Sequence, residues 1–125
     1  MARKLIVVMV NSDPKNPEEL GTPLVQAAVA AAMDYEVEVI CAGTAGRLLQ
    51  KGFAENLRVK AGAEKSVYDF IREAHAEGVR FYACPSNLEL FDIEAKDLIP
   101  ECHGLLGAAA LIARIMEEDC RVLSY

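Results

Sequence analysis

One cysteine of this sequence stands where it could act as a nucleophile. Cys84 lies in the stretch FYACPSNLELF, residues 81–91, after a run of strand-forming residues and directly before Pro85. Proline suits the first position of a helix, because its missing N–H would have no partner there. The backbone N–H groups of the next three residues are then expected to point back towards the sulfur and to favour the thiolate, which is the form that attacks sulfur. Pro85, Ser86 and Asn87 are expected to line the pocket of this thiol.

Other chemistries have weaker signals. The turn GTAG at residues 43–46 lacks both the GxGxxG spacing and the Lys–Ser/Thr pair of a P-loop, so it does not predict nucleotide binding. Asn11 follows the first predicted strand and could line the same crevice as Cys84, although it also suits an ordinary turn. The spacing of Cys102 and His103 from the other cysteines matches no zinc pattern. We therefore expect neither a metal nor an organic cofactor.

Strands and helices alternate along the chain, and this order has to position the thiol. Strands are predicted at residues 4–10, 36–43, 79–84, 102–106 and 120–125. Helices are predicted at 24–33, 44–52, 66–78 and 107–119, with one or two short helical turns between 87 and 100. Residues 11–23 and 53–65 are expected to be loops. Such alternation predicts a single α/β domain over residues 1–125: a flavodoxin-like, doubly wound, mainly parallel sheet of about five strands with helices on both faces.

The four cysteines differ in this predicted fold, where chemistry gathers at the carboxyl ends of the strands. Cys41 and Cys84 both end strands, but a flavodoxin-like strand order would put the first strand between them, at about 9 to 10 Å. That exceeds the roughly 7 Å limit between the Cα atoms of a disulfide. Cys102 could be a second thiol that resolves or shares the sulfur, or a core residue at the start of a short strand. Cys120 is expected to pack beneath the last helix. Cys84 itself could instead be a core residue, since free cysteine is often buried.

Composition narrows the possible partners and compartment. The chain has 125 residues, 13 basic and 19 acidic side chains, and a net charge of −6 without a basic cluster. This balance argues against nucleic acid or an anionic membrane as a direct partner. No apolar run approaches the roughly 18 residues that span a bilayer. Residues 5–10 are too short an apolar run for a signal peptide, so we expect a cytoplasmic protein with reduced thiols.

Several stretches together resemble the DsrE/DsrF-like family, which includes the TusD-type sulfur carriers. They are the first strand LIVVMV, the helix LVQAAVAAAM, the strand EVEVICAG and, above all, GVRFYACPSNLELF. GLLGAAALIARIMEED followed by RVLSY resembles the closing helix and strand of the family. The resemblance covers nearly the whole chain, and its specificity lies in the combination of these stretches with the position of the cysteine.

The resemblance implies a function and partners. A cysteine after this strand carries sulfane sulfur as a persulfide in the family, and Cys84 is the matching position. The implied protein is a sulfur carrier or sulfurtransferase that exchanges sulfur with rhodanese-like or TusA-like proteins, in sulfur oxidation or tRNA thiolation. Family members assemble as trimers or hexamers. The helix LVQAAVAAAM, with Gln26 as its one polar residue, also favours a homo-oligomer, because one sheet cannot cover all of its apolar surface.

The sequence leaves two alternatives open. One is a thiol redox protein or sensor that forms a reversible Cys84–Cys102 disulfide. The other is a binding subunit of a larger complex that has no thiol chemistry of its own, and the presence of Cys84 counts against it.

Overall fold

A computed structural model describes residues 3–125. Its five strands are β1 (Lys4–Met9), β2 (Glu36–Cys41), β3 (Arg80–Ala83), β4 (Cys102–Leu105) and β5 (Cys120–Ser124). They form one sheet in the order β4-β3-β2-β1-β5, and every neighbouring pair is parallel. The predicted α/β fold, with its parallel sheet of about five strands, is confirmed.

Four α-helices connect the strands: α1 (Gly21–Ala32), α2 (Val67–Ala76), α3 (Pro85–Leu90) and α4 (Ala108–Ile115). Three short 3-10 segments lie at Pro17–Glu19, Gly43–Leu49 and Ala54–Asn56, and a fourth at Ala95–Asp97. None of the helices in residues 3–125 is long and apolar enough to cross a membrane.

The larger part of the core lies between the sheet and helices α1 and α2. Val39 and Phe81 of the sheet are fully buried there against Leu24 and Ile71 of the two helices. Alternation along β1 to β3 sends the intervening side chains to the opposite face of the sheet. The continuous apolar runs of the central strands are therefore explained by burial on both faces.

Helix α4 covers the opposite face of the sheet. Ile6, Ile40 and Tyr82 are buried on this side and pack with Leu111 and Ile115 of α4. No residue of α4 itself is buried, so this side of the molecule has the thinner cover. Helices on both faces of a parallel sheet confirm the doubly wound arrangement.

The strand order that we assumed for the central strands is wrong. We expected β1 to lie between β2 and β3. Instead β2 lies in the middle and pairs directly with β1 on one side and β3 on the other. The chain builds outwards from β1 through β2, β3 and β4, and the connection through α4 then returns across the sheet to β5 at the other edge. Hydrophobic patterns identify strands that are buried on both faces, but they do not determine which of them are neighbours.

Local signals predicted some helix ends better than others. Ser66 caps α2, and Ser66 and Asp69 form the expected capping box, with Ser66 Oγ accepting from Asp69 N–H at 3.1 Å. Helix α1 begins three residues before the predicted position 24, because Pro23 is tolerated within a first turn. The predicted helix at 44–52 is instead the 3-10 segment Gly43–Leu49.

Candidate functional site

Cys84 occupies the junction between β3 and α3. It is the first residue beyond β3 and the N-cap of α3, with extended backbone angles of φ −77° and ψ 129° and with Pro85 at the start of the helix. Its N–H still donates to the carbonyl oxygen of Cys41 on the neighbouring strand, at 3.2 Å. The thiol is thus held at the carboxyl edge of the sheet, as the sequence predicted.

The sulfur of Cys84 has one polar contact in the described chain. Its Sγ lies 3.1 Å from Ser86 Oγ, and the Cys84 side chain is half-buried. The expectation that the first N–H groups of α3 point to the sulfur is wrong. The Asn87 N–H donates instead to the carbonyl oxygen of Cys84, at 2.9 Å, and no N–H caps onto the side chain. When the sulfur is ionised, the Ser86 hydroxyl is the group that can donate to it.

Asn87 is a positioning residue, because it is buried instead of lining an open pocket. It is 2% exposed, and its Nδ2 donates to the carbonyl oxygen of Gly43 at 2.6 Å. A methyl group at Gly46 would come within 2.4 Å of the Asn87 amide, so the glycine allows this close approach. Asn87 thereby fastens α3, and with it Cys84, to the segment that follows β2. Pro85 and Ser86 are exposed on the outer side.

Cys41 lies beside Cys84, contrary to our expectation. Its Cα is paired with that of Ala83, and its carbonyl binds the Cys84 N–H. The side chain is 1% exposed and points into the core beneath α1 and α2. Burial raises the pKa of the Cys41 thiol from 9.0 to about 12. The two residues are backbone neighbours, but the Cys41 thiol is closed off from solvent.

Cys102 lies away from Cys84. It is paired with Phe81, three residues before Cys84, on the edge strand next to β3. Three residues along a strand and one strand spacing correspond to about 11 Å, beyond the roughly 7 Å between the Cα atoms of a disulfide. Burial raises the pKa of the Cys102 thiol, and its Sγ donates to the Gly104 carbonyl at 3.4 Å. A Cys84–Cys102 disulfide would therefore require the backbone to move.

The remaining candidates are also separated from the thiol. Asn11 is exposed at the same edge of the sheet, but β2 lies between its strand and β3. His103 stacks edge-on against Tyr82, with ring centroids 5.3 Å apart, on the face opposite to Cys102. Cys120 is buried with Leu111 and Ile115, beneath the last helix as expected, and burial raises the pKa of its thiol.

The start of α4 approaches this site, which the sequence pattern did not indicate. The N–H of Leu106 donates to the carbonyl oxygen of Ala83 at 2.9 Å, which brings the start of α4 next to the end of β3. Gly107 is the N-cap of α4, and as a glycine it has no side chain that could accept from the first N–H groups of the helix. The positive end of this helix dipole therefore lies beside the strand that presents Cys84. The glycine before the alanine run was a signal for a helix start, but only the strand order reveals its neighbour.

Together, these features define a parallel α/β protein with one accessible thiol at the carboxyl edge of its sheet. The sequence profile of the DsrE/DsrF-like family matches residues 4–125, and the chain belongs to this family. Membership is consistent with a role in sulfur relay. No curated protein is similar enough in sequence to match the chain.

Solved structures share the fold of this chain. The ychN protein of E. coli superposes with a TM-score of 0.77 at 17% sequence identity, and each chain is covered completely. MTH1491, a protein of unknown function from Methanobacterium thermoautotrophicum, gives a TM-score of 0.67 at 18% identity, again with complete coverage of both chains. At this level of identity the similarity establishes the fold alone.

Proposed function

We propose that this protein is a sulfur carrier that accepts sulfane sulfur as a persulfide on Cys84 and passes it to a protein acceptor. The observation that carries the proposal is the contrast among its thiols. Cys84 is half-buried beside a hydroxyl group at the carboxyl edge of the sheet, whereas Cys41 and Cys120 are buried and the half-buried Cys102 lies at the start of the edge strand β4. Cys84 is also the residue that corresponds to the family's persulfide cysteine.

Sulfur enters and leaves by thiol exchange. The Cys84 thiolate attacks the outer sulfur of a donor persulfide, the sulfur–sulfur bond of the donor breaks, and the donor thiolate leaves with the electron pair. An acceptor thiolate then attacks the outer sulfur of Cys84–S–SH, and the Cys84 thiolate is released. The sulfane sulfur is transferred without net oxidation, so no cofactor is needed. The Ser86 hydroxyl can donate to whichever negative charge forms on the Cys84 sulfur.

The redox alternative is less well supported by the register of the sheet. A reversible disulfide needs a partner thiol, and Cys102 is about 11 Å from Cys84 by strand geometry. The buried thiol of Cys41 is adjacent in the ladder, but it points into the core, and its pKa of about 12 leaves it protonated at neutral pH. A carrier requires a single accessible thiol, and at the carboxyl edge that thiol is Cys84.

We further propose that the partners are rhodanese-like or TusA-like proteins of the cytoplasm and that the chain forms a homo-oligomer, a trimer or hexamer. Half-exposed Cys84 can meet a thiol of another protein directly. Helix α1 supports self-association, because Val25, Val29 and Met33 form an outward stripe and are 45%, 52% and 61% exposed. Light scattering on the purified protein measures the oligomer, and a monomer at micromolar concentration would contradict this part of the proposal.

The test of the carrier is intact mass spectrometry of the reduced protein after incubation with polysulfide. We expect a gain of one or more sulfur atoms that dithiothreitol reverses. Cys84→Ser should abolish the gain, and Cys102→Ser should leave it intact. Cys84→Ser is expected to fold normally, since it changes one atom at a half-buried position.

Two results would contradict the carrier. Loss of two hydrogen atoms that depends on both Cys84 and Cys102 would identify a redox protein. Absence of any mass change in the wild type would leave a binding subunit without thiol chemistry.

A further inference from the structure

A concave site lies at the carboxyl edge of the sheet, apart from Cys84. It is a cavity of about 310 Å³, which we call the Arg47 pocket. Its walls include Asp13 and Lys15 after β1, Thr44 and Arg47 after β2, and the rings of Phe53 and Phe91. Parallel sheets bind ligands at this edge, and the volume is at the small end of known ligand sites.

Arg47 is held by aromatic rings, and its hydrogen-bond donors are free. Its guanidinium carbon lies 4.3 Å from the centre of the Phe53 ring and 5.7 Å from that of Phe91. Within residues 3–125 its side chain makes no hydrogen bond and no ion pair. A guanidinium that lies close to aromatic rings and keeps all its N–H groups available is suited to bidentate binding of a carboxylate.

The charge of the pocket is also unusual for this chain. The Arg47 pocket has two cationic side chains and one carboxylate, while the whole protein has a net charge of −6. The carboxylate, Asp13, accepts the backbone N–H of Lys15 at 2.9 Å and so stabilises its own turn. The Lys15 ammonium group has no ion-pair partner among the described residues. Two cations without protein partners therefore face a cavity with aromatic walls.

We propose that the Arg47 pocket binds a small organic carboxylate, with the carboxylate group at Arg47 and Lys15 and a flat apolar body against Phe53 and Phe91. Cys84 and Phe91 cap the two ends of α3, and seven residues of helix correspond to about 10 Å. Phe91 lines the pocket and Cys84 does not, so a ligand in the pocket would not touch the thiol. The site is independent of persulfide formation.

The test is a titration of the ¹⁵N-labelled protein followed by two-dimensional NMR, with benzoate as the probe. We expect saturable binding, with shifted amide signals at Asp13 and Lys15, in residues 44–53 and at Phe91. Benzamide has the same shape without the charge, and acetate has the charge without the ring. Each should bind at least tenfold more weakly than benzoate, because each loses one of the two kinds of contact.

Variants separate this pocket from other parts of the surface. Arg47→Gln should weaken benzoate binding by about tenfold or more, as expected for the loss of a hydrogen-bonded charge. The matched control is Arg72→Gln, since Arg72 is also exposed near an aromatic ring, 5.9 Å from that of Tyr68, but lies outside the pocket. It should leave the affinity unchanged, as should Cys84→Ser.

Several outcomes would overturn the proposal: no saturable binding, equal affinity for benzamide, an unchanged affinity in Arg47→Gln, or shifts confined to other residues. The well-dispersed spectrum of a folded variant shows that loss of binding is not loss of structure. Because Cys84→Ser retains the pocket, failure here leaves the persulfide proposal intact, and failure of persulfide formation leaves the pocket intact.

Discussion

Cys84 and Cys41 are neighbours in the sheet with opposite surroundings. The N–H of Cys84 donates to the carbonyl oxygen of Cys41, so the two backbones are in direct contact. Yet the Cys41 thiol is 1% exposed in the larger core, while the Cys84 thiol is half-buried at the edge beside Ser86. Two cysteines at the ends of adjacent strands therefore offer different chemistry.

The difference comes from one step along the chain. Cys41 is the last residue of β2, paired with Ala83, and both side chains point to the face covered by α1 and α2. Cys84 directly follows Ala83 in the chain, so the alternation of side chains along a strand turns the Cys84 side chain away from that face. The following Pro85 ends the strand and begins a helix, which keeps this position at the edge of the sheet. The direction and burial of each cysteine side chain, and not its distance from the site, determine which thiol can react.

The largest expected effect is a difference in alkylation rate between the two thiols. With iodoacetamide at pH 8, we expect Cys84 to react at least about a thousandfold faster than Cys41 in the native protein, as measured by digestion and mass spectrometry. A thiol with a pKa of about 12 is ionised in only about one molecule in ten thousand at that pH. Burial restricts access of the reagent to Cys41 as well.

Denaturant provides the control for this measurement. In concentrated urea both thiols are exposed on an unfolded chain, and their rates should agree within a few-fold. Comparable rates in the native protein would show that the core around Cys41 opens readily, and the contrast between the two cysteines would be lost.

Much of the fold was predictable because the signals are local. The apolar run of β1 and the capping box of Ser66 and Asp69 depend on residues close together in the chain. The position of Cys84 at a strand end before Pro85 was predictable for the same reason. Cys120 beneath the last helix followed from the amphipathic pattern of residues 107–119.

What could not be predicted depends on contacts between distant segments. The order of β1, β2 and β3 was wrong because strands buried on both faces have similar sequences whichever neighbour they take. The expected separation of Cys41 from Cys84 failed with it. The bond from Asn87 to the Gly43 carbonyl links residues that are 44 positions apart, and no spacing in the sequence indicates it.

A second, smaller effect should appear in the pH dependence of stability. The pKa of Cys41 is about 12 in the folded protein and close to 9.0 in an exposed chain. Because the pKa of Cys41 is higher in the folded protein, the protonated thiol contributes to the free energy of unfolding. This contribution is fully present below about pH 9 and is lost as the pH rises from 9 towards 12. At pH 10 the unfolded state should gain about 1.4 kcal/mol from ionisation of this thiol.

Urea unfolding of the wild type and Cys41→Ala between pH 7 and pH 10 measures this contribution. Groups other than Cys41 titrate in both proteins, so their effects cancel in the difference between the two curves. We expect the wild type to lose about 1.4 kcal/mol more than the variant over this range. Parallel curves would mean that Cys41 ionises as easily in the native protein as in the unfolded chain.

The smallest expected effect tests the other side of the comparison, the hydroxyl group beside Cys84. Ser86→Ala removes the one polar side chain within residues 3–125 that contacts the sulfur. Alkylation of Cys84 by iodoacetamide should slow by about threefold to tenfold, the range of one modest hydrogen bond. Ser86→Thr retains the hydroxyl and should react within about twofold of the wild type, and neither change should alter stability much at this exposed position.

An unchanged rate in Ser86→Ala would mean that the hydroxyl does not donate to the thiolate. The advantage of Cys84 over Cys41 would then come from its exposure and from the positive potential at the start of α4, without a contribution from Ser86.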